Sequence, residues 1–443
     1  MKHIKTNFLY RFLFILLVIV LLPLISFASG SGNVPSIGPI RVEFIIFALT
    51  LVGVALFHNK TMYVALTGLT LVLVFKLIFD TEFHLAGHVF GNEHHEGEWR
   101  TLVNLLGLLF GFAILAKHFE ESKIPEILPK YLPDDWRGGL LLLFIIMILS
   151  SFLDNIAAAM IGGTIAMVVF KGNVHVGFLA AIVAASNAGG AGSVVGDTTT
   201  TLMWIDGVDP VDVLKAFVGS IAGFFIFAII GAKQQDAHFR IVKDAVEGIK
   251  INYIKLVVVS FILVGAIATN YFMDFPAVGV WVAIIVGALL TKTPWSELKH
   301  AWQGTIFLMS LVMCASMMPV QDLPPASVYT AFTLGFVSAV FDNIPLTKLC
   351  LTQGGYDWGI LAYSVGFGGS MIWFGSSAGV ALSNMYPQAR NSVQYLKKGW
   401  HVILAYIISF WIMVMIVGWH PHAPHKEKKE IIPTEQTSTE HQP

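Results

Sequence analysis

Between residues 42 and 418 the chain is a succession of apolar runs separated by short charged loops, and one run is too long for its setting. Residues 138–170 are almost unbroken apolar sequence. As one helix they would extend about 50 Å at 1.5 Å per residue. A bilayer's hydrocarbon core is only about 30 Å thick. Such a run must fold back, and near its middle lie Asp154 and Asn155. The run 328–351 repeats the pattern with Asp342 and Asn343 followed by Pro345. Runs 174–205 and 358–386 are interrupted by Gly-, Ser- and Thr-rich stretches instead. Backbone broken at membrane depth is tolerated only where it is buried in protein or lines a cavity.

Composition agrees with a membrane setting. Of 443 residues, 56% are hydrophobic and 12% charged, and the mean hydropathy is +0.72. Soluble domains carry roughly 25% charged residues, so the sequence indicates an all-α, multi-pass membrane protein and excludes a soluble enzyme. The other runs are 42–57, 62–79, 101–116, 211–231, 256–272, 276–291, 305–318 and 400–418. The first run, Phe8 to Ala28, fits either a signal peptide ending in Ser26-Phe27-Ala28 or a retained first helix. This gives a leader or first helix with a short linker over 1–39, a membrane domain over 40–418 and a disordered tail over 419–443. Near-equal basic and acidic counts leave no nucleic-acid footprint. Cys314 and Cys350 lie in apolar runs and form no disulfide framework or metal motif.

Charge placement sets an orientation. Let 138–170 and 328–351 be re-entrant hairpins and every other run cross once, with the N-terminus in the cytoplasm. Then 19 of the 27 basic residues fall on the cytoplasmic side, as the positive-inside rule asks. The two hairpins then enter from opposite faces. The segments SSFLDNIAAAMIGG and NAGGAGSVVGDTTTTLMW have counterparts in SAVFDNIPLTKL and GFGGSMIWFGSSAGVALSN. At an offset of 179, Gly189, Gly190 and Gly196 match Gly368, Gly369 and Gly375, while Asp197 and Thr198 match Ser376 and Ser377. Asp154 and Asp342 differ by 188. Chance Gly pairs for helix packing would give part of this. The complete order points to two inverted repeats, about 100–231 and 256–418, with a site where the broken helices meet.

Asp154, Asp197 and Asp342 are costly at that depth, by at least about 2.5–3.5 kcal/mol each. Oxygen donors surround them in sequence: Asn155, Asn343, and Thr198, Thr199, Thr200 and Thr201, with Asn187 a further amide. Such donors suit a small hard cation such as Na⁺. A carboxylate that holds either a cation or a proton couples the two in exchange. Each acid also has a structural use. Asp197 is a good N-cap for a helix starting at Thr198, and Asp154 and Asp342 suit the turn of a hairpin. Lys348 either neutralises Asp342 or leaves it free. In the loop 80–100, His84, His88, His94 and His95 lie among Glu82, Glu93, Glu96 and Glu98. That loop reads chiefly as solvated, with metal binding or pH sensing as alternatives.

The DN hairpins and the GDTTT stretch resemble NhaD-type sodium/proton antiporters of the ion transporter superfamily, over roughly 40–418. The resemblance implies an inverted-repeat fold with two re-entrant hairpins and a homodimer in the bacterial cytoplasmic membrane. It also implies a scaffold holding the dimer and a moving transport domain. No cofactor is implied; Na⁺ and H⁺ are the transported ions. The residues matching the family motif are Asp154, Asn155, Asp342 and Asn343 at the hairpins, and Asp197 with Thr198 to Thr200 at the break. Dicarboxylate symporters of the superfamily have Ser-Asn-Thr clusters at the hairpins, where this chain has Asp-Asn. Acidic hairpins disfavour an organic anion and favour Na⁺, with Li⁺ a second cation. A coupled carboxylate or other anion carrier is the alternative, and a channel or a non-transporting scaffold would leave the repeat and the acids without a use. The second break carries Ser376 and Ser377 but no acid, so the halves are unequal.

Overall fold

A computed structural model describes residues 34–37, 40–57, 60–91, 97–242 and 249–423. The first apolar run, His94 and His95 with Glu93 and Glu96, and the tail beyond 423 lie outside the described residues. The architecture is all-α and multi-pass, apart from a two-residue antiparallel pairing of Ser36–Ile37 with Ile40–Arg41. Among the described residues five helical stretches are long and apolar enough to cross a membrane: Thr61–Phe79, Trp99–Glu121, Pro210–His238, Tyr253–Met273 and Trp400–Val417.

The helices form two groups. The first comprises α1 (Val42–Leu56), α2 (Thr61–Phe79), the short α3 (Leu85–Phe90) and α4 (Trp99–Glu121). The later helices α10 (Tyr253–Met273), α11 (Pro276–Leu290) and α12 (Glu297–Ser316) complete it: α10 packs on α11, both pack on α4, and α12 packs on α2 and α4. The second group contains α5 (Trp136–Ser150), α6 (Asn155–Val169), α7 (Val176–Ala191), α9 (Ala216–His238), α13 (Val328–Ser338), α15 (Trp358–Gly368), α16 (Ser377–Met385) and α17 (Trp400–Val417). Two short helices, α8 (Thr198–Ile205) and α14 (Asn343–Gln353), lie at the boundary. They pack on each other, α8 also touching α4 and α14 touching α12.

Each over-long run breaks where its polar residues stand. Run 138–170 becomes α5 and α6, and the chain doubles back between them. A Cβ at Gly162 would fall 2.2 Å from the side chain of Ile146, a residue equally distant from Asp154 on the other side. Run 328–351 becomes α13 and α14. Pro345 sits in the first turn of α14, where a missing N–H costs nothing. Run 174–205 divides into α7 and α8, and 358–386 into α15 and α16. Run 305–318 extends back to Glu297, because the amphipathic first turns of α12 lack the apolar signal.

Buried charges in the first group are paired. Glu43 accepts Arg41 at 2.5 Å and lies 3.7 Å from Lys76, which holds Asp80 at 2.8 Å. Lys255 bridges Glu121 at 2.7 Å and the carbonyl of Lys292. The segment just after α17 contacts the helices before it. His420 donates its backbone N–H to Asp357, and His422 lies 2.8 Å from Asp212.

Candidate functional site

Four short helices begin near one another, and each starts on a side-chain cap. Asp154 accepts the N–H of Ile156 at 3.2 Å, and Asp197 that of Thr199 at 2.9 Å. Asp342 accepts Ile344 at 3.1 Å, and Ser376 accepts Gly379 at 3.3 Å. Extended backbone at these positions with an acceptor on a short side chain is what an N-cap requires. The capping use of all three acids is therefore real, yet it occupies one carboxylate oxygen of each. The other Asp154 oxygen faces the Thr198 hydroxyl at 3.5 Å, and the other Asp342 oxygen faces Ser377 at 3.5 Å.

Asp197 is the centre. Its second oxygen accepts Asn155 Nδ2 at 3.1 Å and Asn343 Nδ2 at 3.5 Å. Asn155 also donates to Asn187 Oδ1 at 3.1 Å, and Asn187 donates to the Ser370 hydroxyl at 3.0 Å. Amides from both DN pairs thus meet at one carboxylate, which is only 2% exposed. Asp154 and Asp342 are partly buried. The Thr199 hydroxyl is buried beside Asp197. Thr200 and Thr201 spend their hydroxyl protons on backbone carbonyls, Ser193 at 2.6 Å and Val194 at 2.8 Å. Among the described residues no three His, Cys, Asp or Glu side chains gather into a metal-binding cluster. A cation here would draw on carboxylate oxygen together with amide, hydroxyl and backbone oxygens.

The contacts that build the two breaks recur at the sequence offsets. Ser150 Oγ donates to the Ser186 carbonyl at 2.6 Å, and Ser338 Oγ to the Val365 carbonyl at 2.7 Å. A Cβ at Gly189 would fall 2.0 Å from the Met147 carbonyl, and one at Gly368 2.4 Å from the Gly335 carbonyl. The halves also exchange partners. α6 packs on α16, α14 packs on α8, and Tyr386 donates to the Gly163 carbonyl at 2.8 Å. Ser150, Ser338 and Ser370 are site residues the motif search passed over, although SSFLDN and SAVFDN align the first two directly.

Two cavities lead to the site along the boundary between the helix groups. One, of about 380 Å³, reaches Asp154, Thr198 and Thr201 and is bordered by Lys117, Glu120 and Glu297. The other, of about 460 Å³, reaches Asp342, Ser376 and Ser377 and is bordered by Lys60 and Asn384. His300 and Gly304 on α12 and Ile156 on α6 line both. Asp197 lines neither.

Lys348 does not neutralise Asp342. Its ammonium lies 2.9 Å from Glu98 and 3.0 Å from Asp206. Asp154, Asp197 and Asp342 have no ion-pairing basic side chain among the described residues. Nor is the histidine loop simply solvated. His88 is half-buried and bonds the Ser316 hydroxyl at 2.9 Å, and Glu98 belongs to the Lys348 cluster.

No protein-family model matches the chain. Among curated proteins it is similar to "Sodium/proton antiporter 1" of Arabidopsis thaliana, 25% identical over 333 residues, 64% of this chain and 55% of the relative. It is likewise similar to "Na(+)/H(+) antiporter NhaD" of Vibrio cholerae, 26% identical over 340 residues, 63% of this chain and 70% of the relative. The protein of the same name from Vibrio parahaemolyticus is 26% identical over 380 residues, 67% of this chain and 88% of the relative. The chain thus spans just over half the length of the plant relative.

Proposed function

We propose that this chain, similar over about two thirds of its length to NhaD-type Na⁺/H⁺ antiporters, exchanges Na⁺ for H⁺ across a cytoplasmic membrane. One observation carries the reading. Three carboxylates cap the converging half-helices, and among the described residues no basic side chain pairs with them. An uncompensated carboxylate removed from water costs several kcal/mol. Each must therefore take up a proton or a cation, and in this setting the two compete for the same oxygens. Helix N-termini partly offset the negative charge, which keeps the acids able to ionise when Na⁺ arrives.

The same N-termini would favour an anion if they were vacant. Three of the four are instead filled by the chain's own carboxylates, and Lys348, the ammonium an anion would want, is engaged elsewhere. This weighs against the carboxylate-carrier alternative. The relatives' names are those of transporters, which supports transport rather than enzymatic work. The recurring contacts at offsets of 188 and 179 support two inverted repeats, with re-entrant hairpins at Asp154 and Asp342. The lysine-rich loops beside the cavities fit a cytoplasmic mouth, and the two helix groups fit a scaffold, dimeric in the membrane, and a moving transport body. The oxygen-only donors are equally suited to Li⁺.

Everted membrane vesicles carrying a pH-sensitive dye test the exchange. Na⁺ should dequench the dye in the wild type, Asp154→Asn should need about tenfold more Na⁺ for the same response, and the KM for Na⁺ should rise as the pH falls. An unchanged Na⁺ response in Asp154→Asn, or uptake of labelled succinate, would sink the proposal.

A further inference from the structure

The Lys348 cluster sits at the other end of the molecule from the cavity mouths. Glu98 is the N-cap of α4, whereas Lys117 and Glu120, which border a cavity, lie near the end of the same helix. That helix of 23 residues is about 35 Å long at 1.5 Å per residue. Lys348 stands on α14, whose cap is Asp342 and whose first residue, Asn343, bonds Asp197. Asp206 is the C-cap of α8, whose N-cap is Asp197 itself. One ammonium therefore ties the middle of α14 to the far end of α8, the two helices whose near ends carry Asp342 and Asp197. Glu98 then fastens that pair to α4, in the opposite helix group. A second bond repeats the link, since the Thr101 hydroxyl on α4 donates to Asp206 at 3.0 Å.

The cluster is nearly dry, with the side chains of Lys348, Asp206 and Glu98 at 5%, 14% and 20% exposure. It joins the two helix groups at the end of α4 opposite Lys117 and Glu120, which border one of the cavities. His88, nearby, is held below the ordinary imidazole range by burial first and by Lys348 and Lys76 second. It is therefore neutral near pH 7 and adds no charge of its own to the cluster. A site that must face both sides in turn cannot keep this end shut throughout. Since α8 and α14 carry the site, whatever frees the two helices from α4 also frees the site to move.

We propose that Lys348 is a positioning residue of the exchange cycle, latching the site-bearing helices to α4 through Asp206 and Glu98 while the cavities are open, and releasing Glu98 when the site turns to the other side. The proposal rests on the exchange reading above and adds to it the contacts that have to part, Lys348 with Glu98 and Thr101 with Asp206. Asp206 would travel with Lys348, and Glu98 would stay with α4. Once released, the carboxylate at Glu98 gains water, and its partial exposure already limits the cost of that step.

The test has two arms, both in vesicles. In a chain with Cys314→Ala and Cys350→Ala, the pair Glu98→Cys and Lys348→Cys is bridged by a short bifunctional methanethiosulfonate. Bridging should stop Na⁺-driven proton movement, and reduction with dithiothreitol should restore it. Separately, Glu98→Gln keeps shape and a hydrogen-bond acceptor but weakens the latch. By population arithmetic it should raise the KM for Na⁺ by about threefold or more in everted vesicles and lower it in right-side-out vesicles. A merely structural role would move both orientations together. Undiminished exchange in the bridged pair, or shifts of the same sign in both orientations, overturns the latch while leaving the exchange reading intact. A wild type that couples no protons to Na⁺ overturns both.

Discussion

The break at Asp197 and the break at Ser376 are built alike and charged differently. In each, a serine four residues before the hairpin acid closes onto a carbonyl of the following helix, and a glycine lets the backbones meet. In each, a hydroxyl one residue beyond the cap faces the hairpin carboxylate. Only the first break puts a carboxylate at the cap. Asn343, from the second half, reaches across to that carboxylate because its own break offers none. Backbone geometry is thus duplicated while the central charge is single, and the two hairpin acids are served by one shared Asp197.

The largest expected effect breaks the comparison outright. Asp197→Asn should lower exchange by about two orders of magnitude or more, as loss of a functional intramembrane acid would. Moving the acid, with Asp197→Asn and Ser376→Asp combined, should not restore it, because Asn155, Asn187 and Asn343 are all arranged around position 197. Restored exchange in that double variant, read by the dye assay, would mean that the breaks are interchangeable. Smaller and more equal effects are expected at the hairpins. Asp154→Asn and Asp342→Asn should each raise the KM for Na⁺ by about tenfold, corresponding to about 1.4 kcal/mol. A much larger loss at one of them would identify the cavity by which ions chiefly enter. Smallest of all, Ser150→Ala and Ser338→Ala should each cost about 1 kcal/mol through one lost buried hydrogen bond. The midpoint of heat-induced unfolding in detergent should fall equally for both. An unequal fall would show that the duplicated geometry is not duplicated in energy.

Much of this was legible in the chain itself. Asp154, Asn155, Asp342 and Asn343 stand out because an apolar run longer than a bilayer must turn somewhere, and polar residues mark where. Gly189 and Gly368 were visible as a repeat, and their contacts explain why: a side chain at either would collide with a carbonyl. What stayed hidden depended on long-range pairing. The partner of Lys348 is not the acid six residues before it in sequence but Asp206, 142 residues away, and Glu98, from a segment that reads as loop. Burial of His88 against Ser316 spans 228 residues, beyond what loop composition reveals. His300 and Gly304 escaped notice because they sit in the amphipathic start of α12, ahead of the apolar run.

The two cavities have a consequence for how an ion is chosen. Volumes of about 380 and 460 Å³ hold on the order of ten or more water molecules each. On the exchange reading proposed above, an ion approaching Asp154 or Asp342 would keep most of its hydration shell. It would meet Asp197, which lines neither cavity, only after giving up that water. Dehydration would then be deferred to a single late step, and ions that part with water at different cost would separate there rather than at the mouth.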